Sequence, residues 1–210
     1  MRICQRAAAP FIILCLALLA PGSRLARAQG SDGVGTQTVR KANDQVQSLL
    51  REKAEPGSAA EKKLAGQVTR SVRGFLDIDT LGQRAMRDHW DKLSAGQRRD
   101  FLQLLRELVE ANYINALRSN LSYEVKYLGE DKDGDGLLVK TEVSAQRRGR
   151  PRAIEIDYQL TRDGQAWRAF DVVTDGVGLV ENYRAQFNKI IARDGFGGLM
   201  DRMRKKRAKM

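Results

Sequence analysis

The chain has 210 residues, with 37 Lys+Arg against 26 Asp+Glu, a formal charge of +11, two cysteines and a single histidine. Both cysteines, Cys4 and Cys15, fall within the first 28 residues, so the remainder holds no disulfide, thiol nucleophile or thiolate metal ligand. The positive excess does not read as a nucleic-acid surface: six basic residues crowd into the last ten, DRMRKKRAKM, with neither stacking aromatics nor a reading helix.

Residues 1–28 are expected to be a secretory signal. Arg2 and Arg6 make a positive start, Ala7 to Ala20 an apolar run, and Ala26-Arg27-Ala28 a small-x-small cleavage site. The run is shorter than the ~20 residues that span a bilayer, so export is expected over anchoring. An exported chain starting at Gln29 loses four arginines, and its formal charge falls from +11 to +7. Residues 29–37, with glycine and serine at their start, are expected to be a disordered leader. A single domain follows over 38–200, and 201–210 form a basic tail.

Within the domain, Val39, Ala42, Val46, Leu49 and Leu50 mark an amphipathic helix that stops before Pro56-Gly57. Ser58-Ala-Ala-Glu61 is a capping box that opens a second helix, with Leu64, Val68, Val72 and Phe75 as its apolar stripe. Asp77 to Trp90 predicts a short third helix with Leu81, Ala85, Met86 and Trp90 inward. Ser94-Ala-Gly-Gln97, a second capping box, opens the longest helix, striped by Phe101, Leu105, Leu108 and Asn112.

From Ser122 the period falls to two. Tyr123, Val125 and Tyr127 alternate with Glu124 and Lys126, and the pattern returns in Leu137, Val139, Thr141 and Val143. Ile154, Ile156, Tyr158 and Leu160 form a third run, and Arg162-Asp163-Gly164 supplies a tight turn before Trp167, Phe170, Val172 and Val173. Four strands joined by short polar loops predict an antiparallel meander with one apolar face, and the helices before and after it make the fold α+β. Asp175-Gly176 ends the last strand. Leu179, Tyr183, Gln186, Phe187, Ile190 and Ile191 then recur at helical spacing, and Gly195-Phe196-Gly197-Gly198 breaks that helix before a final short one.

Three groups of residues carry formal motifs. Asp131 to Glu142, DKDGDGLLVKTE, fits the calcium loop of an EF-hand, but strand patterns enter and leave it, so a hairpin tip is expected instead. His89, between Asp88 and Asp91, has no second histidine or cysteine with which to complete a metal set, and no nucleophile signature stands beside it. The pairs Asp77/Asp79 and Asp171/Asp175 have the composition of glycosidase carboxylates, yet Asp79 reads equally as a helix cap and Asp175 as a turn residue. No catalytic residue, metal site or cofactor is assigned on these grounds. A hydrolase using His89 with a nearby carboxylate stays as the alternative, and a calcium module as a third reading. The apolar stripes themselves could fill a solid core or line a cavity, and taken alone they are expected to fill a core.

The run from Trp167 to Leu199 resembles the C-terminal signature of the MlaC family, the toluene-tolerance auxiliary proteins that carry phospholipid across the Gram-negative periplasm. The likeness lies in Asp171-Val172, Gly176-Val177, Leu179-Val180, Asn182-Tyr183-Arg184, Gln186-Phe187, Gly195-Phe196 and Gly198-Leu199. A second block, His89 to Tyr113 with its Leu-Ser-x-x-Gln-Arg start, resembles the family's central helix. One departure is Gly178, where the family pattern has a small hydroxyl residue.

The resemblance implies a periplasmic phospholipid carrier, not an enzyme, in which sheet and helices part to house acyl chains. The lining it implies is Met86, Phe101, Leu105, Val125, Tyr127, Val139, Ile154, Ile156, Tyr158, Trp167, Val172, Tyr183 and Phe187. It also implies two docking partners, an inner-membrane ABC transporter with an MCE-domain subunit and an outer-membrane lipoprotein associated with a porin. The carrier itself is expected to be a monomer that needs no cofactor.

Overall fold

Four helices, one antiparallel sheet and a last long helix follow one another in the computed structural model, which describes residues 32–55, 57–118, 123–147 and 150–210. The expected signal, both cysteines and the start of the leader lie outside those residues. The first helix, α1 (Val34–Arg51), begins earlier than its apolar stripe, so Val34 to Gln37 are helical and not leader. Its opening turn is capped from the sheet: the Glu130 carboxylate accepts the Thr36 N–H. That acceptor lies 94 residues away in the chain and leaves no local mark.

Both predicted helix starts are capped by their serines. At the start of α2 (Ala59–Phe75) Ser58 Oγ accepts the Glu61 N–H at 3.1 Å, and the Glu61 carboxylate returns to Gly57 N–H at 2.7 Å. At the start of α4 (Ala95–Arg118) the exchange between Ser94 and Gln97 is reciprocal, at 3.2 and 2.8 Å. Between them α3 (Ile78–Ala85) is shorter than its pattern predicts and gives way to turns and one 3-10 turn, Trp90–Lys92. Asp77 caps α3 by accepting the Thr80 N–H at 3.0 Å, while Asp79 faces Arg106 at 2.5 Å. The cap is therefore Asp77 and not Asp79.

The strands are β1 (Tyr123–Asp133), β2 (Gly136–Arg147), β3 (Arg150–Asp163), β4 (Ala166–Thr174) and β5 (Val177–Gly178). They lie in the order β1-β2-β3-β4-β5, each antiparallel to the next. The meander thus has one strand more than the sequence predicts. β5 is only the two residues that fold back on Val173 and Thr174, too short for any period to reveal. Beyond it, α5 (Leu179–Arg207) breaks at Gly195, whose φ of 70° is the left-handed region that glycine enters without a Cβ penalty.

Register places the inward side chains in rows. Val125, Val143 and Ile154 stand opposite one another at one end of the sheet, followed by Tyr127, Thr141, Ile156 and Thr174. Val139, Tyr158 and Val172 form the next row, and Leu137, Leu160 and Ala169 the last before the turns. The helices close over this last end. α1 presses on β2 so tightly that a Cβ on Gly35 would lie 3.0 Å from Leu137, Val139 and Glu130 side-chain atoms. Leu76, between α2 and α3, bridges to Ala169 on the edge of β4, and Arg168 Nη2 donates to Arg73 O and Leu76 O, closing the end of α2.

Candidate functional site

Burial is graded along the covered face of the sheet, and the gradient defines the candidate site. Leu160, Val139 and Ala169 are buried, within a core that also holds Met86, Phe101, Leu105, Phe187 and Leu199. Among the described residues that core reaches Tyr127, Leu137, Tyr158 and Trp167 and stops short of Val125, Val143, Ile154 and Ile156. Those four aliphatic side chains point to the helix side of the sheet yet are only half-buried. An apolar strip left half-exposed on the face that should be covered is a surface that awaits apolar contact.

The residues named from the sequence divide between these two environments. Met86, Phe101, Leu105 and Phe187 form close-packed contacts: Phe101 meets Phe187 edge to face at 5.5 Å, and Tyr183 stacks on Phe187 at 5.5 Å. Val139 is fully buried under α1. Val125, Ile154, Ile156, Tyr127, Tyr158 and Val172 are half-buried. Tyr127 receives the Asn43 side-chain amide at 3.2 Å and lies under Arg40 at 4.0 Å, so α1 supplies its polar partners. Burial raises the phenols of Tyr123, Tyr127 and Tyr183 above the usual tyrosine range, which leaves all three neutral around pH 7.

A groove of about 870 Å³ runs between α1 and α2, within the range of pockets that hold small ligands. Ala42, Leu49, Phe75 and Trp167 give its apolar lining, and Trp167 is the one residue of the predicted lining that it includes. Ser71 Oγ approaches Gln45 Oε1 at 3.4 Å across it. Phe75 joins the groove to the sheet, for its ring meets Tyr158 edge to face at 5.7 Å. Neither the half-buried strip nor this groove is legible as such in the sequence, because helical and strand periods report which face turns inward and not how closely it is covered.

The motif residues have other positions. Asp131 to Glu142 is a β-hairpin whose turn is Gly134-Asp135, and Glu142 stands opposite Lys126 and Glu155, well along β2. Lys140 Nζ reaches Asp131 at 2.8 Å from the neighbouring strand. His89 Nε2 contacts Asn188 Oδ1 at 2.9 Å, within a clip between the turn after α3 and α5. Asp175 is the turn residue, at φ 47°, and its N–H donates to Glu155 O. Asp171 Oδ1 accepts the Val172 and Val180 N–H groups at 2.8 and 3.1 Å, so a strand residue caps α5. Burial pushes its carboxyl above the usual range, against the pull of those backbone donors. A Cβ on Gly178 would lie 2.7 Å from Asp171 Oδ2, so this carboxylate occupies the space a side chain at the corner would take.

The model of the family described as MlaC protein matches residues 40–205. The chain belongs to the MlaC family. A relative from Haemophilus influenzae, the intermembrane phospholipid transport system binding protein MlaC, is 21% identical over 131 residues. That match covers 61% of this chain and 61% of the relative, less than two thirds of its length. Among solved structures, the phospholipid-binding protein from Ralstonia solanacearum in complex with a phospholipid superposes with a TM-score of 0.67. It is 24% identical, and the alignment covers 85% of this chain and 98% of that one. This chain and the Ralstonia protein thus share a fold, which here is an α+β arrangement with helices on one face of an antiparallel sheet.

Proposed function

We propose that this chain is a periplasmic phospholipid carrier that catalyses no reaction. It shuttles glycerophospholipid between an inner-membrane ABC transporter with an MCE-domain subunit and an outer-membrane lipoprotein-porin complex, and so maintains outer-membrane asymmetry. The half-buried strip of Val125, Val143, Ile154 and Ile156 carries this reading, since acyl chains are the apolar partners that such a strip lacks. Membership of the MlaC family, the name of the Haemophilus relative and the lipid held by the Ralstonia neighbour support it. In this reading Tyr127, Tyr158, Trp167 and Val172 complete the lining, and Met86, Phe101, Leu105, Val139, Tyr183 and Phe187 form its packed back wall.

The energetics suit a carrier. At ~0.8 kcal/mol per buried methylene, roughly thirty methylenes gain about 24 kcal/mol over water and almost nothing over a bilayer interior. Escape into water is negligible while exchange with a membrane complex is near balance, so loading and unloading require docking. Native mass spectrometry of the purified protein before and after solvent extraction tests the reading. A phospholipid-sized adduct that extraction removes is expected, and a single apo mass in both samples would refute it.

A further inference from the structure

We infer that the groove between α1 and α2 holds the phosphate of the lipid head group, with Lys41 on α1 and Arg70 on α2 as its counter-charges; this rests on the carrier reading. Both cations line the groove from facing helices, and neither has an ion-pair partner among the described residues. Other arginines on these helices and their neighbours are paired: Arg40 with Asp32, Arg73 with Glu110, Arg106 with Asp79 and Arg184 with Asp88. Glu52 is the one acid in the lining and stands at the end of α1, eleven residues beyond Lys41. Gln45, Gln67 and Ser71 add neutral polar groups to the lining.

The lining therefore changes character across its depth. Exposed cations and amides stand at the rim, and Leu49, Phe75 and Trp167 lie inward, with Phe75 in contact with Tyr158 on the covered face of the sheet. A ligand with an anionic ester at one end and hydrocarbon at the other matches that order, whereas a wholly apolar or a wholly ionic ligand matches half of it. Charge-assisted hydrogen bonds from an arginine and a lysine are the strong kind, and an arginine fork fits a phosphate in two-point fashion.

The test loads lipid-free protein from vesicles that carry equal amounts of phosphatidylglycerol and the uncharged diacylglycerol of the same chains. Bound lipid is then counted by native mass spectrometry. The wild type is expected to favour the phospholipid by about tenfold, the scale of one charge-assisted contact. A Lys41→Gln/Arg70→Gln variant should lose that preference with melting temperature unchanged, and Lys41→Arg should keep it. A preference that survives in the double variant overturns the assignment, as does a wild type that takes up both lipids without preference. Uptake of neither lipid overturns the carrier reading and this assignment with it. Inorganic phosphate titrated into the lipid-free protein separates the other source of the same chemistry. Saturable phosphate binding that the double variant loses, with its lipid preference intact, would give the cations to free phosphate and overturn the head-group role.

Discussion

Asp88 lies in the turn after α3 and receives Arg184 Nε at 2.7 Å, Arg184 Nη2 at 3.0 Å and Asn188 Nδ2 at 2.7 Å, all from α5. These donors, Arg184 first and Asn188 second, hold its carboxyl down at about 2. Asn188 turns its oxygen to His89, so the lone histidine completes the same clip and needs no chemistry to account for its position. The sequence places a histidine between two aspartates, but the partners that give it a structural role lie 96 to 100 residues further on. A carboxyl whose folded pKa is depressed contributes stability above the ordinary carboxylate pKa of about 4, and that contribution is lost as pH falls through the folded value. Asp88→Asn should therefore melt below the wild type throughout the neutral range, with the gap narrowing from about pH 4 and closing near pH 2. Thermal melts across that range decide it, and a gap that stays constant into acid would show that the clip owes nothing to ionisation.

Elements whose signals are local match their sequence patterns, as the two serine caps, the turn at Gly164 and the break at Gly195 show. Where a distant group decides, the pattern misleads. α1 starts early because Glu130 caps it, α3 ends early while its stripe continues, and β5 exists only as a partner for Val173 and Thr174. The same limit governs the candidate site: alternation identifies Val139 and Ile156 alike as inward, and only the cover provided by α1 separates them. Val139 lies in a row where even a Cβ on Gly35 meets its methyl at 3.0 Å, so Val139→Trp should overpack the core and cost about 1–3 kcal/mol or more. Ile156 is half-buried beside Thr141 and Thr174, and its neighbours in the carrier reading are mobile acyl chains. Ile156→Trp should then lower bound phospholipid while leaving the melting temperature of the lipid-free protein within a degree or two, a change of about 0.5 kcal/mol or less. Both variants must be compared without lipid, since a bound ligand raises apparent stability by itself. An equal loss of stability in the two variants would mean that the strip is solid core.

Across the whole molecule, the basic end of the chain combines anchored and free charge. The residues predicted as a tail continue α5 through Arg207, and Met203 is buried against the core. Arg202 pairs with Asp194 at 2.7 Å, and Arg207 pairs with Glu107 on α4, whose carboxyl it holds below the usual range. The segment is thus part of the body, and removing it would disturb packing as well as charge. Lys205 and Lys209 are different: both are exposed, and neither has an ion-pair partner among the described residues. Charges so placed do little for stability but raise the rate of encounter with an anionic surface, over a range set by the Debye length of about 10 Å at 0.1 M salt. Lys205→Glu/Lys209→Glu should leave melting temperature and co-purified lipid unchanged while slowing lipid transfer to anionic vesicles about tenfold at low ionic strength. The difference should shrink as salt rises toward ~1 M, where the Debye length is about 3 Å. Equal transfer rates at low salt would remove steering from these lysines. Loss of co-purified lipid would instead place the end of α5 in the wall of the lipid site.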